Sequence, residues 1–341
     1  MKPLSLIILP HLAAAMLLTA SSCRQEICYD HEGLTEISVA YEQEWERDYG
    51  AALAGQWDEN SYGTAYEALR PAPPTSITMV AYPTDGTTPY NLYLPATGGS
   101  VSSFTGGALL FYNDDTECVV IDDIASHPDA TATTTGRSRS SLTPMHEGER
   151  SVNAPDVLYG AFIEHADGPD SHTTTPLSIT MRPLVYTYLI RYKISQGAEY
   201  VSLARGALAG MAEKVRLRDG STTADAATVL FDATLDAASS TVTAIVNTFG
   251  VPSHPGYTPG AESVTPEGPF TLNLEVLLND GSIQTFDFDV TRQMLNQPRG
   301  GVITVGSIHV INNSTQVDSG FDVDVDDWGE YEDVILPPFE T

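Results

Sequence analysis

The chain predicts an all-β fold, two β-sandwich domains in tandem, on three observations. Short apolar runs of period two recur from one end to the other. Gly, Pro, Asn, Asp, Ser and Thr separate them at turn spacing. The 341 residues, even without a leader, suffice for two domains with cores of their own.

In the first half, Ile37, Val39 and Tyr41 alternate with Glu36, Ser38 and Ala40, the pattern of a strand with one buried face. The runs Ile77 to Tyr82, Tyr90 to Leu94, Val101 to Phe104, Leu109 to Tyr112, Cys118 to Ile121 and Val157 to Ile163 follow, each too short for a stable helix. Pro83-Thr84-Asp85-Gly86, Gly98-Gly99 and Gly106-Gly107 read as turns between them. Two stretches break the rhythm. Residues 42–69, rich in Trp, Tyr, Glu and Ala, predict a helical turn or a long excursion, and Thr131 to Ser141, small and polar, predicts a mobile loop.

Composition shifts between Ser171 and Pro183, around a short strand from Leu177 to Met181, so a boundary is expected there, with residues 23–182 in the first sandwich and 183–311 in the second. The second half opens with the strand Leu184 to Ile194. Tyr186, Tyr188, Ile190, Tyr192 and Ile194 share one face, opposite Val185, Leu189, Arg191 and Lys193, and such a row belongs to a core unless it is exposed. Gly206 to Ala212 fits either a short helix or a bulged connection. Leu272, Leu274, Val276 and Leu278 lead into Asn279-Asp280-Gly281-Ser282, and Phe286, Phe288 and Val290 return on one face opposite Asp287 and Asp289. Asp-Gly supplies the positive φ that this tight turn needs, and Arg218-Asp219-Gly220-Ser221 is a second turn of the kind.

The segment 312–341 has nine acidic residues and no Lys or Arg, yet Phe321, Val323 and Val325 alternate strictly with Asp322, Asp324 and Asp326. One face of that row asks for burial.

The N-terminus reads as an export leader, residues 1–22. Lys2 gives a positive start, Leu4 to Leu18 an apolar stretch, and Ala20-Ser21-Ser22 the small residues of a cleavage site. Pro10 and His11 interrupt the stretch, which is too short to span a bilayer comfortably as a mature helix. Cys23 follows at once. The arrangement resembles the lipobox of bacterial lipoproteins, although Ala20 stands where that pattern prefers Leu. The resemblance implies cleavage before Cys23 and acylation of that residue, palmitate included; the plainer alternative is a secretory leader followed by a chance cysteine. Both export the mature chain.

Sixteen Lys and Arg against 45 Asp and Glu leave a formal charge of -29. Such a chain repels phosphate backbones and anionic head groups, which argues against nucleic acid as a partner and leaves acyl chains to provide attachment to a membrane. After Cys23 only Cys28 and Cys118 remain. They do not make a disulfide scaffold or a zinc spacing, and Cys118 reads as a buried strand residue.

Signs of catalysis are missing from the sequence. Asp322, Asp324, Asp326 and Asp327 lack the glycine and distal Glu of a calcium loop, and Asp114, Asp115, Glu117, Asp122 and Asp123 flank an apolar strand as loop ends would. The histidines have no metal-ligand spacing, and His31, His127, His146, His165, His172 and His254 read as surface loop residues. No nucleophile elbow, phosphate loop or dinucleotide fingerprint occurs. The expectation is a protein without enzymatic activity or cofactor.

Several stretches together resemble a family. They are Cys23 itself, Cys28-Tyr29-Asp30-His31, the run Leu-Leu-Phe-Tyr-Asn-Asp-Asp-Thr-Glu from Leu109 to Glu117, Arg205-Gly206-Ala207-Leu208-Ala209-Gly210-Met211-Ala212, and the segment Gly320 to Trp328. They are similar to a lipoprotein family of Bacteroidales without assigned activity, related to the fimbrillin superfamily and its minor-fimbrium anchor and accessory subunits. The resemblance implies transthyretin-like or Greek-key sandwiches, lipid attachment through Cys23 at the outer membrane and cell surface, and service as an anchor, tip or accessory subunit in fimbria assembly and adhesion. It further implies other fimbrial subunits as partners through strand addition, in which Phe321, Val323 and Val325 have the chemistry of a donated strand. The same row suits a final strand of its own domain. Superfamily members that polymerise lose their first strand after an Arg; Arg47 and Arg70 are available. A surface glycan-binding lipoprotein is the alternative, with Trp45, Trp57 and Trp328 as its candidate stacking rings.

Overall fold

A computed structural model of the chain describes residues 33–43, 53–102, 104–170, 173–257 and 268–312. Among the described residues the first element is β1 (Leu34–Tyr41), followed by α1 (Leu53–Gln56), α2 (Glu59–Tyr62), a 3-10 turn (Tyr66–Leu69), β2 (Ser76–Pro83), β3 (Tyr90–Pro95), β4 (Gly98–Val101) and β5 (Gly106–Asn113). Three short strands follow, β6 (Val119–Asp122), β7 (Thr131–Thr134) and β8 (Arg150–Asn153), before β9 (Tyr159–Asp167) and β10 (Thr174–Pro183). The all-β reading holds.

The first sheet has the order β3-β2-β5-β9-β10-β1-β4. It is a sandwich because β9 and β10 pair only where Arg182 meets Gly160 and Pro183 meets Tyr159. Beyond that corner, β10-β1-β4 folds back over β3-β2-β5-β9, and the alternate residues Ile37, Met79, Leu109, Phe111, Ile179 and Met181 close a core between the layers. Strand β1 lies inside this arrangement, parallel to β10 and antiparallel to β4.

The second sandwich is built from β11 (Tyr186–Gln196), β12 (Val201–Ala212), β14 (Ala226–Asp236), β15 (Thr241–Thr248), β16 (Thr271–Leu278), β17 (Ile283–Asp289) and β18 (Gly301–His309), with α3 (Thr291–Asn296) before the last strand. The short β13 (Val215–Arg216) pairs instead with β7. Its path is β17-β16-β12-β14-β15-β11-β18. The turn of the sandwich is β14, whose first part pairs with β12 and whose end pairs with β15. Tyr186, Tyr188, Ile190, Tyr192 and Ile194 all point into the core, so the aromatic row is packing and not a ligand platform. The Tyr192 hydroxyl donates to the Asn273 carbonyl at 2.9 Å, and burial holds its pKa well above the ordinary tyrosine value.

A third apolar cluster joins the two sandwiches. Val80, Leu110, Tyr112 and Leu158 leave the outer face of the first, and Ala212, Val215, Leu217 and Phe249 meet them from the second half. Strand β5 is therefore buried at every position, which explains a run of apolar residues with no polar face. The excursion after β1 packs elsewhere: Leu53, Tyr66 and Leu69 cover Leu189 and Val302 on the outside of the second sandwich.

The structure corrects several local readings. Thr131 to Ser141 is not a loose loop, because Thr131–Thr134 is a buried strand between β6 and β13, and the residues after it run on as an ordered strap. Gly98-Gly99 opens β4 and Gly106-Gly107 opens β5; neither is a turn, and the strand read at Val101 to Phe104 ends at Val101. Gly107 sits at φ 140, where a Cβ would lie 2.2 Å from the Tyr82 carbonyl oxygen, so the pairing of β5 with β2 requires glycine there. Gly206 to Ala212 is part of β12, with a bulge between Leu208 and Met211. His165 lies on β9 and not in a loop, and His254 is buried, its Nδ1 accepting from the Gly256 N–H at 3.0 Å. Cys118 precedes β6, half-buried and free.

Candidate functional site

Strand addition needs an accessible sheet edge with unpaired N–H and C=O groups, so the edges of the second sandwich are the first places to look. The edge at β18 is closed. Gln293 of α3 and Gln297 just beyond it stand four residues apart on one helical face, a spacing of ~6 Å. Alternate residues of a strand repeat at ~6.6 Å. The two side-chain amides therefore match Val302 and Thr304 and act as rungs of a missing strand. Gln297 Oε1 accepts from Val302 N at 2.8 Å and its Nε2 donates to Val302 O at 3.0 Å. Gln293 does the same for Thr304, with both distances 3.0 Å. Both glutamines are only 5% exposed. Gly301, at φ 152, leaves room for this arrangement, since a Cβ there would come within 2.1 Å of Gln297 Oε1.

The edge at β17 is different. Leu278 N donates to Ser282 O and Val290 N to Phe270 O, so the even-numbered residues of β17 bond inward to β16. By alternation Ile283, Thr285, Asp287 and Asp289 turn their backbone groups to the side on which no described strand pairs. Asp287 and Asp289 put two carboxylates on this strand, and charge on an edge strand discourages indiscriminate pairing. At the start of this strand, Gln284 clasps the backbone of Ile311, accepting from its N–H at 3.1 Å and donating to its carbonyl.

The outer face of β14-β12-β16 is partly covered by the strap, residues 135–150. Arg137 reaches Asp232 with Nη2 at 3.0 and 3.1 Å, and Arg139 donates to the Gly206 carbonyl at 2.9 Å. Arg205 ties back to Ser141 at 2.7 Å and forms an ion pair with the buried carboxylate of Glu275. Burial, and then the neighbouring Arg205 charge, draw Arg139 below the ordinary arginine range. At its far end, Glu149 accepts from Gly210 N at 3.2 Å and Thr228 Oγ1 at 2.7 Å, while His146 bridges Glu149 (2.6 Å) and Thr271 Oγ1 (3.0 Å). The order carboxylate, imidazole, hydroxyl imitates a nucleophile triad. Both Glu149 oxygens are engaged, and the group latches the strap to β12, β14 and β16.

A family comparison bears on this region. Residues 67–232 match the family model described as a domain of unknown function, DUF5119. The match covers 166 of the 341 residues, just under half of the chain. The matched stretch runs from the 3-10 turn through β2 to most of β14, so it contains the strap and most of the cluster joining the sandwiches; Thr271 of the latch, Phe249 of the cluster, the rungs of β18 and the clasp at β17 lie beyond it. Its unassigned activity agrees with the family expected from the sequence. No curated protein matches the chain. Among solved structures, a candidate adhesin from Bacteroides ovatus is similar at TM-score 0.56 and 19% identity, covering 84% of this chain and 95% of that one. A candidate polysaccharide-binding protein from Bacteroides thetaiotaomicron superposes more loosely, at TM-score 0.44 and 11% identity over 81% of this chain and 92% of that one. The fimbrial anchor protein Mfa2 from Porphyromonas gingivalis gives TM-score 0.40 and 11% identity over 80% and 90%.

Among the described residues, two grooves open on or beside the matched stretch. One, of about 250 Å³, opens where β9 and β10 diverge and is lined by Phe162, Ile179, Arg182, Arg218 and Tyr257. Its guanidiniums are already engaged, Arg218 with Glu164 at 2.7 Å and over the Phe162 ring, Arg182 over the Tyr257 ring. The other, of about 330 Å³, lies on β12, β14, β16 and β17 beside Arg205, at the end of the sheet away from the latch.

Of the site residues expected from the sequence, Cys23, Phe321, Val323 and Val325 lie outside the described residues, as do Trp45 and Trp328. Trp57 is half-buried, stacked on Tyr62 at 4.0 Å with its Nε1 donating to the Thr64 carbonyl, so one face of the ring is already covered. Asp114 and Asp115 accept hydrogen bonds from Thr75, Ser76 and Thr78 and tie loop ends to β2. Among the described residues, no three His, Cys, Asp or Glu side chains gather as a metal site, and no helix is long and apolar enough to cross a membrane. The glutamine rungs were not found in the sequence; Gln at i and i+4 on a short helix before a β run is the signal that marks them.

Proposed function

We propose that this protein is a non-enzymatic, lipid-anchored surface subunit of a fimbria-like assembly, an anchor, tip or accessory component that supports adhesion. The observation that carries the reading is the fold, shared over 84% of the chain with a candidate adhesin. Its two sandwiches suit mechanical linkage, because the joining cluster makes them one apolar unit. Cys23 would carry the acyl chains at the outer membrane. Phe321, Val323 and Val325 would enter a neighbouring subunit as an added strand, main-chain bonds giving affinity and the three side chains register. The first described strand, β1, is the natural counterpart, since it lies between β10 and β4 and its removal would open both. The division at 182/183 is part of the same reading.

Two outcomes test it. The Cys23→Ala variant should move from the membrane fraction to the soluble fraction; if it remains membrane-bound, the anchor is elsewhere. A pull-down from surface extracts should recover other fimbrial subunits with the native chain and lose most of them with Val323→Asp. Recovery of a polysaccharide transporter alone would favour glycan capture instead.

A further inference from the structure

Glutamine rungs close the second sandwich at β18, and no described group does the same at β17. Ile283, Thr285, Asp287 and Asp289 direct their N–H and C=O groups away from β16, and among the described residues no strand receives them. On the core face of the same strand Phe286 and Phe288 pack against the cluster yet stay half-buried, whereas Leu274 and Leu272, their partners on β16, are fully buried. The sheet stops beside the two rings. One more strand would satisfy the backbone groups and cover the rest of both rings.

We propose that this edge accepts an extended segment of another protein that carries Lys or Arg at two alternate positions. Register sets that chemistry. Side chains directly opposite across a strand pair lie about 5 Å apart, close enough for opposite charges to stabilise the pair and like charges to oppose it. On the outward face the added strand meets Ile283, Thr285, Asp287 and Asp289, so its own residues run apolar, polar, basic, basic. On the inward face it meets Gln284, Phe286 and Phe288, which call for apolar residues in between. Asp287 Oδ1 accepts from Asn273 Nδ2 at 2.7 Å and Asp289 Oδ1 from Thr291 N at 2.9 Å, so both carboxylates are held in place and each keeps a second oxygen for a cation. Charge also argues against the chain's own segments. Residues 258–267 and 313–341 contain no Lys or Arg. If Phe321, Val323 and Val325 turned inward toward the two rings, Asp322, Asp324 and Asp326 would fall on the face of Asp287 and Asp289. A second copy brings a formal charge of -29 with it.

The acceptor rests on the proposed role only in placing its partner at the cell surface; the donated row 321–325 and the place of β1 are tested separately. Fluorescence anisotropy of the labelled peptide Lys-Val-Lys-Val-Thr-Val-Ile, which matches β17 in antiparallel sense from Asp289 back to Ile283, tests the edge on the full-length, detergent-purified protein. Saturable binding is expected. Thr285→Pro removes an outward N–H and leaves the bonds to β16 in place, as proline on an edge strand does, so it should raise the Kd at least tenfold with an unchanged Tm. Asp287→Lys should weaken this peptide at least threefold and tighten Lys-Val-Glu-Val-Thr-Val-Ile by a similar factor, which a damaged edge could not do. Absence of saturable binding at millimolar peptide overturns the acceptor, and so does binding indifferent to Thr285→Pro, in which charge alone would hold the peptide. Amide exchange separates the occupants. In the free protein the N–H groups of Ile283, Thr285, Asp287 and Asp289 should exchange at least tenfold faster than those of Gln284, Phe286 and Phe288, and should slow when the peptide is added. Slow exchange of all seven without peptide overturns the acceptor, assigning the edge to the chain's own segments or, where dilution abolishes it, to a second copy.

Discussion

Replacing Gln293 and Gln297 together by leucine is expected to lower the stability of the second sandwich by roughly 4 kcal/mol or more and to make the chain self-associate. The double variant keeps side-chain volume but strips partners from the N–H and C=O of Val302 and Thr304. Each buried backbone group left unsatisfied costs about 1–3 kcal/mol. A domain whose total stability is about 5–15 kcal/mol can scarcely absorb four of them. The chain has one way to recover the loss, which is to pair β18 with a strand from another molecule. Denaturant titration should show the lower midpoint, and light scattering should show dimers or larger species at micromolar concentration. A monomer with an unchanged midpoint would mean that the rungs contribute nothing. Single substitutions should give about half the loss and little association, since one rung still interrupts the edge.

Leu110→Ala should separate the melting of the two sandwiches. Leu110 is fully buried in the cluster that joins them, facing Leu217, Val215 and Phe249 from the second half. Truncating a leucine in such a site costs about 2–5 kcal/mol, from lost transfer free energy and the cavity left behind. Its sequence neighbour Leu109 points into the core of the first sandwich instead. Leu109→Ala should therefore lower the stability of the first sandwich by a similar amount while the halves stay coupled. Calorimetry distinguishes the two: a single peak for the native chain and for Leu109→Ala, a split peak for Leu110→Ala. One undivided peak for Leu110→Ala would show that the joint is carried by other contacts, such as the pairing of β8 with β14.

Most strands were legible in the chain because they have one wet face. Ile37, Val39 and Tyr41 in β1, and the hairpin of Leu272 to Leu278 with Phe286 and Phe288, alternate because water lies on one side of them. Thr131–Thr134 escaped notice for the opposite reason. Threonine and alanine are small and half-polar, and this strand is buried by neighbours distant in the chain, β6 before it and β13 more than 80 residues later. The same holds for Gly106-Gly107, where the glycines serve close strand approach and not a turn.

For the candidate site, polar residues carried too little local pattern. Arg137, Arg139 and Ser141 read as a loose linker, yet their partners Asp232, Gly206 and Arg205 place them on a sheet face that no local window contains. By itself the chain determined its class, its acidity and the alternation of most strands, because each follows from composition or from a period of two. Tertiary structure alone decided which edges are open. An edge is closed by whichever groups arrive beside it, and Gln293, Gln297 and Gln284 arrive by the folding back of a helix and a hairpin, which no periodicity records.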